Sequence, residues 1–316
     1  MLKIGLIGSE ENCIKYQLEI NKSANAIVSG IFDSSSKTIG DSENSYFQFY
    51  KTPGELFDNV DIVCITQKKD SFEIISTAIK NSKHVFLPFP VSFNINDIET
   101  IVKLAGEAGV KVQMSLNEYY YPVFKCATKF VESPLFIDAK YNNKNADLTS
   151  YINNNLLYDV MIIMNLVNCD IRKITTISVP VLNNGPGLIN VRIEFNNGCI
   201  ANITVDGLSP VNKHEYMFYQ KGSMIRFNLI EKKFSLSSLN PVDAGGTDNQ
   251  QYNHDNSFSE QFYYKENDLI SHQVLSEEIN SFIESIKQNI PPKISIEDYY
   301  KTCQVIQTIT ERIKIN

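Results

Sequence analysis

The chain has 316 residues, 43% of them hydrophobic, which is enough to bury a large core and to form two domains. Its formal net charge of -7 argues against binding to nucleic acid or to an anionic membrane, because both would repel an acidic surface. The opening MLKIGLIG enters a strand without the basic segment of a signal peptide, and no apolar run is long enough to span a bilayer. The 6 scattered cysteines, none in a C-x-x-C pair, favour free thiols over disulfides or zinc. These features predict a cytoplasmic protein without a metal site.

Short apolar strands alternate with helical patterns over the first part of the chain. Strands that are apolar on both faces are typical of a parallel sheet covered by helices on both sides. Their alternation with helices predicts βαβ units and a Rossmann-type, doubly wound α/β domain over residues 1–121. The predicted strands are KIGLIG (3–8), AIVSGIFD (26–33), DIVCIT (61–66), KHVFL (83–87) and VKVQMSL (110–116).

Two of the intervening helices carry their own start signals. Thr52 followed by Glu55 forms a capping box, and Asn94 can cap a helix with an apolar stripe at helical spacing. Gly106 or Gly109 can end that second helix, because glycine tolerates the left-handed conformation found there.

The pattern changes after about residue 122, where two helical segments precede a series of alternating strands. NNG (196–198) and KGS (221–223) are typical hairpin turns, so a mostly antiparallel sheet faced by helices is predicted for an α+β domain over 122–316. The polar, glycine-bearing run 243–260 is predicted to be a loop, and a last helix is predicted to begin near Ser295.

The turn after the first strand is where a dinucleotide would meet backbone N–H groups at a helix N-terminus. The expected pattern is G-x-G-x-x-G, and only its first glycine is present. Glu10, with Glu11 beside it, occupies the place where the backbone would approach a diphosphate, and a carboxylate there weakens binding unless it points into solvent. The turn is Gly8-Ser9-Glu10-Glu11-Asn12-Cys13.

Asp33 ends the second strand, at the distance from Gly8 where an acidic side chain can bind the ribose hydroxyls of NAD. The alternative is that Asp33 and the three serines 34–36 form only a strand-end turn and a helix cap. Both interpretations stay open from the sequence.

Several segments resemble the Gfo/Idh/MocA oxidoreductase family, the glucose–fructose oxidoreductase and inositol dehydrogenase group. DIVCITQKKDSFEIISTAIKNSKHVFLPFPVS resembles the family's DAVVIATPNxxHxxxAxxALxAGKHVLxEKPxA, and AGEAGVKVQMSLNEYYYPVF resembles AxxAGVxxxVGFNxRFxPxx. The closing PPKISIEDYYKTCQVIQTI resembles the family's last helix. The resemblance implies an NAD(P)-dependent oxidoreductase acting on a small polar, sugar-like substrate, and a homodimer or homotetramer formed through the C-terminal sheet.

The family's catalytic residues are replaced at their matching positions. The lysine of E-K-P is Phe89, whose ring can neither donate a proton nor stabilise an alkoxide. The helix that carries D-x-x-x-H in the family has Asn154 and Tyr158 at those positions, and no histidine exists between residues 85 and 213. Tyr158 could act as an acid, but with a free pKa of about 10 it needs a cationic neighbour, such as Lys68 or Lys69.

The resemblance assigns the cofactor to Gly8, Ser9, Glu10, Glu11, Asn12, Asp33, Gln67 and Pro88, and the substrate pocket to Phe89, Asn117, Tyr119 and Tyr158. His84, His214 and His272 lie in strand or helix patterns and are interpreted as structural. Binding of NAD or NADP is expected to be weakened or lost.

Three functions remain open from the sequence. The first is a divergent NAD(P)-dependent oxidoreductase, and the second is a non-catalytic relative that senses a small ligand. The third is a reductase resembling biliverdin reductase, which transfers hydride with little acid–base assistance. Loss of the lysine and the histidine favours the second and third over alcohol oxidation.

Overall fold

The computed structural model describes residues 1–23, 25–33, 48–66, 72–91, 93–143, 148–179, 187–239, 249–254, 258–263 and 271–315. The chain folds into two compact units. Unit 1 comprises Met1–Tyr120 and Leu269–Lys301, and unit 2 comprises Tyr121–Asp268 and Thr302–Asn316. The predicted division after residue 121 assigned everything beyond it to one domain, whereas 269–301 folds with the N-terminal unit.

Unit 1 contains a parallel sheet, which confirms the predicted Rossmann-type α/β fold. Its strands are β1 (Leu2–Ile7), β2 (Ala26–Phe32), β3 (Ile62–Ile65), β4 (His84–Leu87) and β5 (Val112–Met114). Within the described residues, these five strands pair in the order β2-β1-β3-β4-β5, all in parallel. The helices before the chain leaves this unit are α1 (Glu10–Ile20), α2 (Pro53–Phe57), α3 (Phe72–Lys80) and α4 (Ile95–Ala108).

The predicted start and stop signals coincide with helix ends, although the Glu55 carboxylate accepts a hydrogen bond from the Lys51 amide, one residue before the cap. The Thr52 hydroxyl accepts a hydrogen bond from the Glu55 amide at 3.3 Å, and Asn94 accepts one from the Asp97 amide at 2.9 Å. Helix α4 ends at Gly109, whose φ of 65° is left-handed and therefore suits glycine. These contacts lie within one turn of the chain, which is why a local pattern predicted them.

The late segment of unit 1 explains why the two units are not contiguous in sequence. Helix α7 (Ser271–Lys287) buries Ile279, Phe282 and Ile283 in the same core as residues of β1, β3 and β4. The ring of Phe282 lies 5.8 Å from that of Phe86. The helical pattern of α7 shows that one face is apolar but does not show which sheet covers it.

Unit 2 contains a larger, mostly antiparallel sheet, as predicted. Its remaining helices are α5 (Pro122–Thr128), α6 (Leu148–Val167) and most of α8 (Ile296–Ile315). The strands are β6 (Phe136–Asn142), β7 (Ile171–Val179), β8 (Leu188–Phe195), β9 (Ile200–Asp206), β10 (Lys213–Gln220), β11 (Ser223–Asn228), β12 (Lys233–Ser238), β13 (Asn249–His254) and β14 (Phe258–Tyr263). Among the described residues they pair in the order β13-β14-β12-β11-β10-β6-β9-β8-β7, with only β6 and β9 parallel.

One face of this sheet forms the core of unit 2. Burial alternates along β8 and β9, so every second side chain points into the core. Helix α5 packs its Phe124 ring edge-on against Phe227 of β11 at 5.6 Å. The hairpin turns predicted at NNG and KGS are present, with Gly198 at φ 87° and Gly222 at φ 76°.

The loop predicted over 243–260 was wrong for the part that the structure describes. Residues 249–254 form β13 and pair with β14, which in turn pairs with β12 at the end of the sheet. Backbone hydrogen bonds to an existing strand form whatever the side chains are, so a polar sequence does not exclude a strand.

Candidate functional site

The carboxyl edge of the N-terminal sheet holds the predicted cofactor residues. Strand β1 ends at Ile7, and the chain turns through Gly8 and Ser9 into α1. The Gly8 amide donates to the Phe32 carbonyl at the end of β2 at 3.2 Å, which fixes the turn beside the neighbouring strand. Gly8 has a φ of 154°, which side chains rarely adopt.

The N-terminus of α1 leaves backbone donors for another partner. The Cys13 amide bonds the Ser9 carbonyl at 3.0 Å, and the Ser9 side chain makes no capping hydrogen bond. The amides of Glu10, Glu11 and Asn12 precede this first intrahelical bond, and such groups suit an anion.

The two acidic side chains of this turn are directed outward. Glu11 pairs with Lys15 at 2.8 Å, with 81% of the Glu11 side chain exposed, and this hydrogen bond lowers the pKa of its carboxyl. Glu10 is also exposed. Neither carboxylate is therefore fixed against the backbone amides, which is the condition under which a diphosphate could still approach.

Cys13 replaces the third glycine of the turn and is fully buried. Its sulfur lies 3.8 Å from the Thr66 hydroxyl, and the Asn12 side-chain amide donates to the Thr66 carbonyl at 3.4 Å. Burial raises the pKa of the Cys13 thiol to about 11. A glycine at this position lets the helix pack closely on the strand. In this chain the neutral thiol of Cys13 fills that space.

Asp33 follows β2 at the same edge of the sheet and is half-buried. Its charge adds to the effect of burial in raising the pKa of Cys13, which places Asp33 within electrostatic reach of α1. Residues 34–36 and 67–69 lie outside the described part of the chain, so the predicted roles of Gln67, Lys68 and Lys69 remain predictions.

The corner Pro88-Phe89-Pro90 follows β4 and is a packing corner. Phe89 is 5% exposed, and its ring meets that of Tyr299 edge-on at 5.5 Å and 79°. The Tyr299 hydroxyl donates to the Val91 carbonyl at 3.1 Å, and the Phe89–Pro90 peptide is cis. The position that carries lysine in the family is thus occupied by a buried ring.

The tyrosines after β5 are also mainly buried. Asn117 begins a 3₁₀ helix and is exposed, whereas Tyr119 and Tyr120 are 5% and 6% exposed. The Lys293 ammonium lies 5.8 Å from the Tyr119 ring and 5.3 Å from the Tyr120 ring, within the range of cation–π attraction. Burial raises the pKa of both phenols.

Glu278 of α7 is a buried carboxyl that the sequence did not point to. It accepts hydrogen bonds from the Ser115 hydroxyl at 2.8 Å and the Leu116 amide at 2.6 Å, just beyond β5. Burial raises the pKa of Glu278 to about 8, and Glu118 contributes in the same direction. This carboxyl fastens α7 to the end of β5.

Unit 2 holds a second group of polar side chains. Tyr158 is half-buried on α6, and Asn154 lies on the same helix with its side chain outside the described part. The next residue, Asp159, is 1% exposed and contacts two side chains of β10. His214 Nε2 lies 2.7 Å from Asp159 Oδ1, and the Tyr216 hydroxyl donates to the same oxygen.

The contact among Asp159, His214 and Tyr216 was not predicted from the sequence. A usable signal was present, because His214 and Tyr216 are two apart on one face of a strand and Asp159 is the lone acid in an apolar helical run. Among the described residues, no group of three or more His, Cys, Asp or Glu side chains could hold a metal ion. No helix in the described ranges is long and apolar enough to cross a membrane.

The N-terminal part of the chain matches a known protein family. Residues 2–116 match the GFO_IDH_MocA model, described as an oxidoreductase family with an NAD-binding Rossmann fold. The match covers the turn at Gly8, Asp33 and the corner at Phe89. No curated protein sequence matches the chain.

Solved structures share the fold over almost the whole chain. UDP-N-acetylglucosamine 3-dehydrogenase GnnA from Acidithiobacillus ferrooxidans has a TM-score of 0.77 at 12% identity, covering 98% of this chain and 97% of that one. Levoglucosan dehydrogenase, in complex with NADH and L-sorbose, has a TM-score of 0.78 at 13% identity, covering 99% and 96%. An oxidoreductase from Agrobacterium radiobacter, in complex with NAD+, L-tartaric acid and magnesium, has a TM-score of 0.75 at 12% identity, covering 99% and 96%.

Proposed function

We propose that this chain, whose residues 2–116 match the model of the Gfo/Idh/MocA oxidoreductase family, is an NAD-dependent oxidoreductase acting on a small polar, sugar-like compound. The family match carries the proposal, because it covers the strand, turn and helix that would bind the dinucleotide. The low identity of the solved structures adds support for the fold alone.

The residues present at the sheet edge fit a dinucleotide. The first-turn amides of α1 can bind a diphosphate, since the Ser9 side chain does not cap them and the two glutamates point outward. Asp33 can accept hydrogen bonds from the adenosine ribose hydroxyls, which would favour NAD over the additional phosphate of NADP. The fit is weaker than that of a complete glycine turn, because the first helical turn carries two negative charges.

A bound nicotinamide dinucleotide would supply hydride transfer. The chain's own part is to hold the dinucleotide, orient the substrate and accept or donate a proton. A sugar-like substrate class is supported by the names of two neighbours of the same fold, a UDP-N-acetylglucosamine dehydrogenase and a levoglucosan dehydrogenase.

A non-catalytic, ligand-sensing function is the second candidate, and one observation favours it. Phe89 is buried against Tyr299, so the corner that contributes lysine in the family contributes only an apolar ring here. A sensor would bind the dinucleotide or a sugar without converting it.

Calorimetric titration with NAD+, NADH, NADP+ and NADPH tests the cofactor proposal. We expect NAD(H) to bind, and ligand at 100 times its dissociation constant to stabilise the fold by about 2.7 kcal/mol. Asp33→Asn should weaken NAD+ binding by about tenfold, the value of one charged hydrogen bond. Asp58→Asn is the matched control, because Asp58 is exposed at the end of α2.

The outcomes test the cofactor role. Heat-silent titrations with no thermal stabilisation by any of the four dinucleotides would refute the oxidoreductase and leave the sensor. Equal effects of the Asp33 and Asp58 changes would refute the ribose role of Asp33. The homodimer or homotetramer remains a prediction, which light scattering on the eluting protein would check.

A further inference from the structure

We infer that Glu278 is the residue that distinguishes the oxidised from the reduced dinucleotide, because it gives up a proton when NAD+ binds and keeps it when NADH binds. The inference rests on the proposed function, since it concerns the same cofactor. It involves residues of unit 1 alone.

The Glu278 carboxyl is held at the carboxyl end of β5. Its side chain is fully buried, and it accepts hydrogen bonds from the Ser115 hydroxyl at 2.8 Å and from the Leu116 amide at 2.6 Å. Both partners directly follow β5, which ends at Met114. A glutamine could make the same two contacts, so the attachment of α7 does not by itself require a group that ionises.

The groups around Glu278 favour a neutral carboxyl. Titratable groups of the described part of the chain lie within electrostatic reach of it, and these ionise to anions: Glu118, Tyr16, Cys64 and Tyr120. Tyr120 in turn is acted on by Glu277 and has the Lys293 ammonium 5.3 Å from the centre of its ring. A buried carboxylate surrounded by acids is costly, so the group takes up a proton. Burial accordingly raises the pKa of Glu278 to about 8, and Glu118 acts in the same direction.

The order of the strands directs a dinucleotide toward this carboxyl. Under the proposed function, Asp33 at the end of β2 holds the adenosine ribose, and the first turn of α1, after β1, holds the diphosphate. The ends of β3, β4 and β5 follow in that order on the side of β1 away from β2. A dinucleotide that starts at β2 and crosses β1 would extend its nicotinamide half toward the side of the sheet where Glu278 lies.

The two redox forms of the dinucleotide differ in the charge of the nicotinamide ring. The ring is a cation in NAD+ and neutral in NADH, whereas the diphosphate charge is the same in both. A cation favours the ionised form of a nearby carboxyl, so the oxidised ring lowers the pKa of Glu278 and the reduced ring does not. Salt screens this attraction only weakly, because the carboxyl is buried.

The proposed step is an ionisation coupled to binding. The O–H bond of the Glu278 carboxyl breaks, its electron pair remains on oxygen, and the proton passes to the buffer. The carboxylate then accepts hydrogen bonds from the Ser115 hydroxyl and the Leu116 amide. Because NAD+ prefers the ionised form, its affinity relative to that of NADH rises with pH across the titration of Glu278.

Calorimetry of the full chain in two buffers of different ionisation enthalpy counts the protons released. If NAD+ binds the ionised form about tenfold more tightly than the protonated form, NAD+ should release about half a proton more than NADH near pH 7.5. The affinity for NAD+ relative to NADH should then rise by about eightfold between about pH 6 and pH 9.

Glu278→Gln cannot ionise, so it should abolish both the difference in proton release and the rise with pH. Glu284→Gln is the matched control on the same helix, because Glu284 is exposed and should retain both effects.

Infrared difference spectra supply a readout that a merely structural role would not change. NAD+ should remove the C=O stretching band of a protonated carboxyl, NADH should leave it, and the band should be absent from the Glu278→Gln spectra. Ser115→Ala serves if Glu278→Gln does not fold. Its missing hydroxyl removes a hydrogen bond that lowers the pKa of Glu278, so the rise in relative NAD+ affinity should move to higher pH.

Equal proton release by NAD+ and NADH in the wild-type chain would overturn the inference. A difference that is as large in Glu278→Gln would overturn it too. In both cases the dinucleotides still bind, so the proposed function stands. Failure of both dinucleotides to bind would refute the proposed function, and the inference with it.

Discussion

The carboxyl edge of the N-terminal sheet and the α6–β10 face of unit 2 differ in what holds their buried side chains in place. At the sheet edge, the apolar ring of Phe89 and the uncharged thiol of Cys13 are both buried, and packing against their neighbours holds them in place. At the second, Asp159 is buried and is fixed by hydrogen bonds from His214 and Tyr216. A buried ring needs no polar partner, whereas a buried carboxylate does.

This difference indicates where chemistry can take place in the molecule. At the described part of the N-terminal edge, the first-turn amides of α1 suit an anion, and the corner after β4 presents the buried ring of Phe89. In unit 2, Asp159 of α6 meets His214 and Tyr216 of β10. Backbone amides therefore characterise the first region, and side-chain hydrogen bonds around a buried carboxylate characterise the second.

Phe89→Lys restores the family's residue and tests whether the corner is a packing corner. Loss of the buried ring and burial of an ammonium beside Tyr299 should lower the free energy of unfolding by about 4 kcal/mol. Urea denaturation measures the change. No gain in turnover is expected, because the position is only 5% exposed.

Phe93→Lys is the matched control for that change. Phe93 is half-buried and contacts Phe72 edge-on at 6.2 Å, so a lysine there can extend its ammonium into water at a smaller cost. If Phe89→Lys is as stable as Phe93→Lys, the corner at Phe89 is open to water. The contrast between the sheet edge and the α6–β10 face would then disappear.

Glu278→Gln tests a buried acid of unit 1 through pH. The folded pKa of about 8 lies above the ordinary value of 4.5, so between these values the folded chain keeps a proton that the unfolded chain loses. The stability contributed by this group is complete below pH 4.5 and is lost as pH rises to about 8, at up to ~1.4 kcal/mol per pH unit. Glutamine accepts from the Leu116 amide and donates to the Ser115 hydroxyl, so it should remove that slope without unfolding the chain.

Urea midpoints across this pH range check the prediction. Glu284→Gln on the same helix is the control, because Glu284 is exposed and should leave the slope of the wild type. A wild-type slope that survives in Glu278→Gln would show that another group titrates.

Local patterns in the sequence predicted the framework, and distant contacts could not be predicted. The caps at Thr52, Asn94 and Ser295 involve residues within one helical turn, so their spacing was sufficient. Glu278 bonds Ser115 across 163 positions, and His214 meets Asp159 across 55. Such pairs depend on which elements pack together, and helical periodicity does not determine that.

The same limit applies to the candidate site. Replacement of the lysine by Phe89 was visible in the sequence, but its burial against Tyr299 was not, because Tyr299 follows the long insertion that builds unit 2. The acidic turn was visible too, and the outward direction of Glu11 depended on Lys15 one turn later.

Glu10→Gln should produce the smallest of these effects, a change in NAD+ affinity. It tests the cofactor edge most directly. Glu10 is exposed in the first turn of α1, so its charge acts through water on a diphosphate at the helix N-terminus. Removing the charge should tighten NAD+ binding by about fivefold at low ionic strength, and by less at about 1 M salt, where the Debye length is about 3 Å. Calorimetry at both salt concentrations measures this. Glu11→Gln should change affinity less, because Lys15 already neutralises that carboxylate. Unchanged affinity in Glu10→Gln would place the diphosphate away from α1.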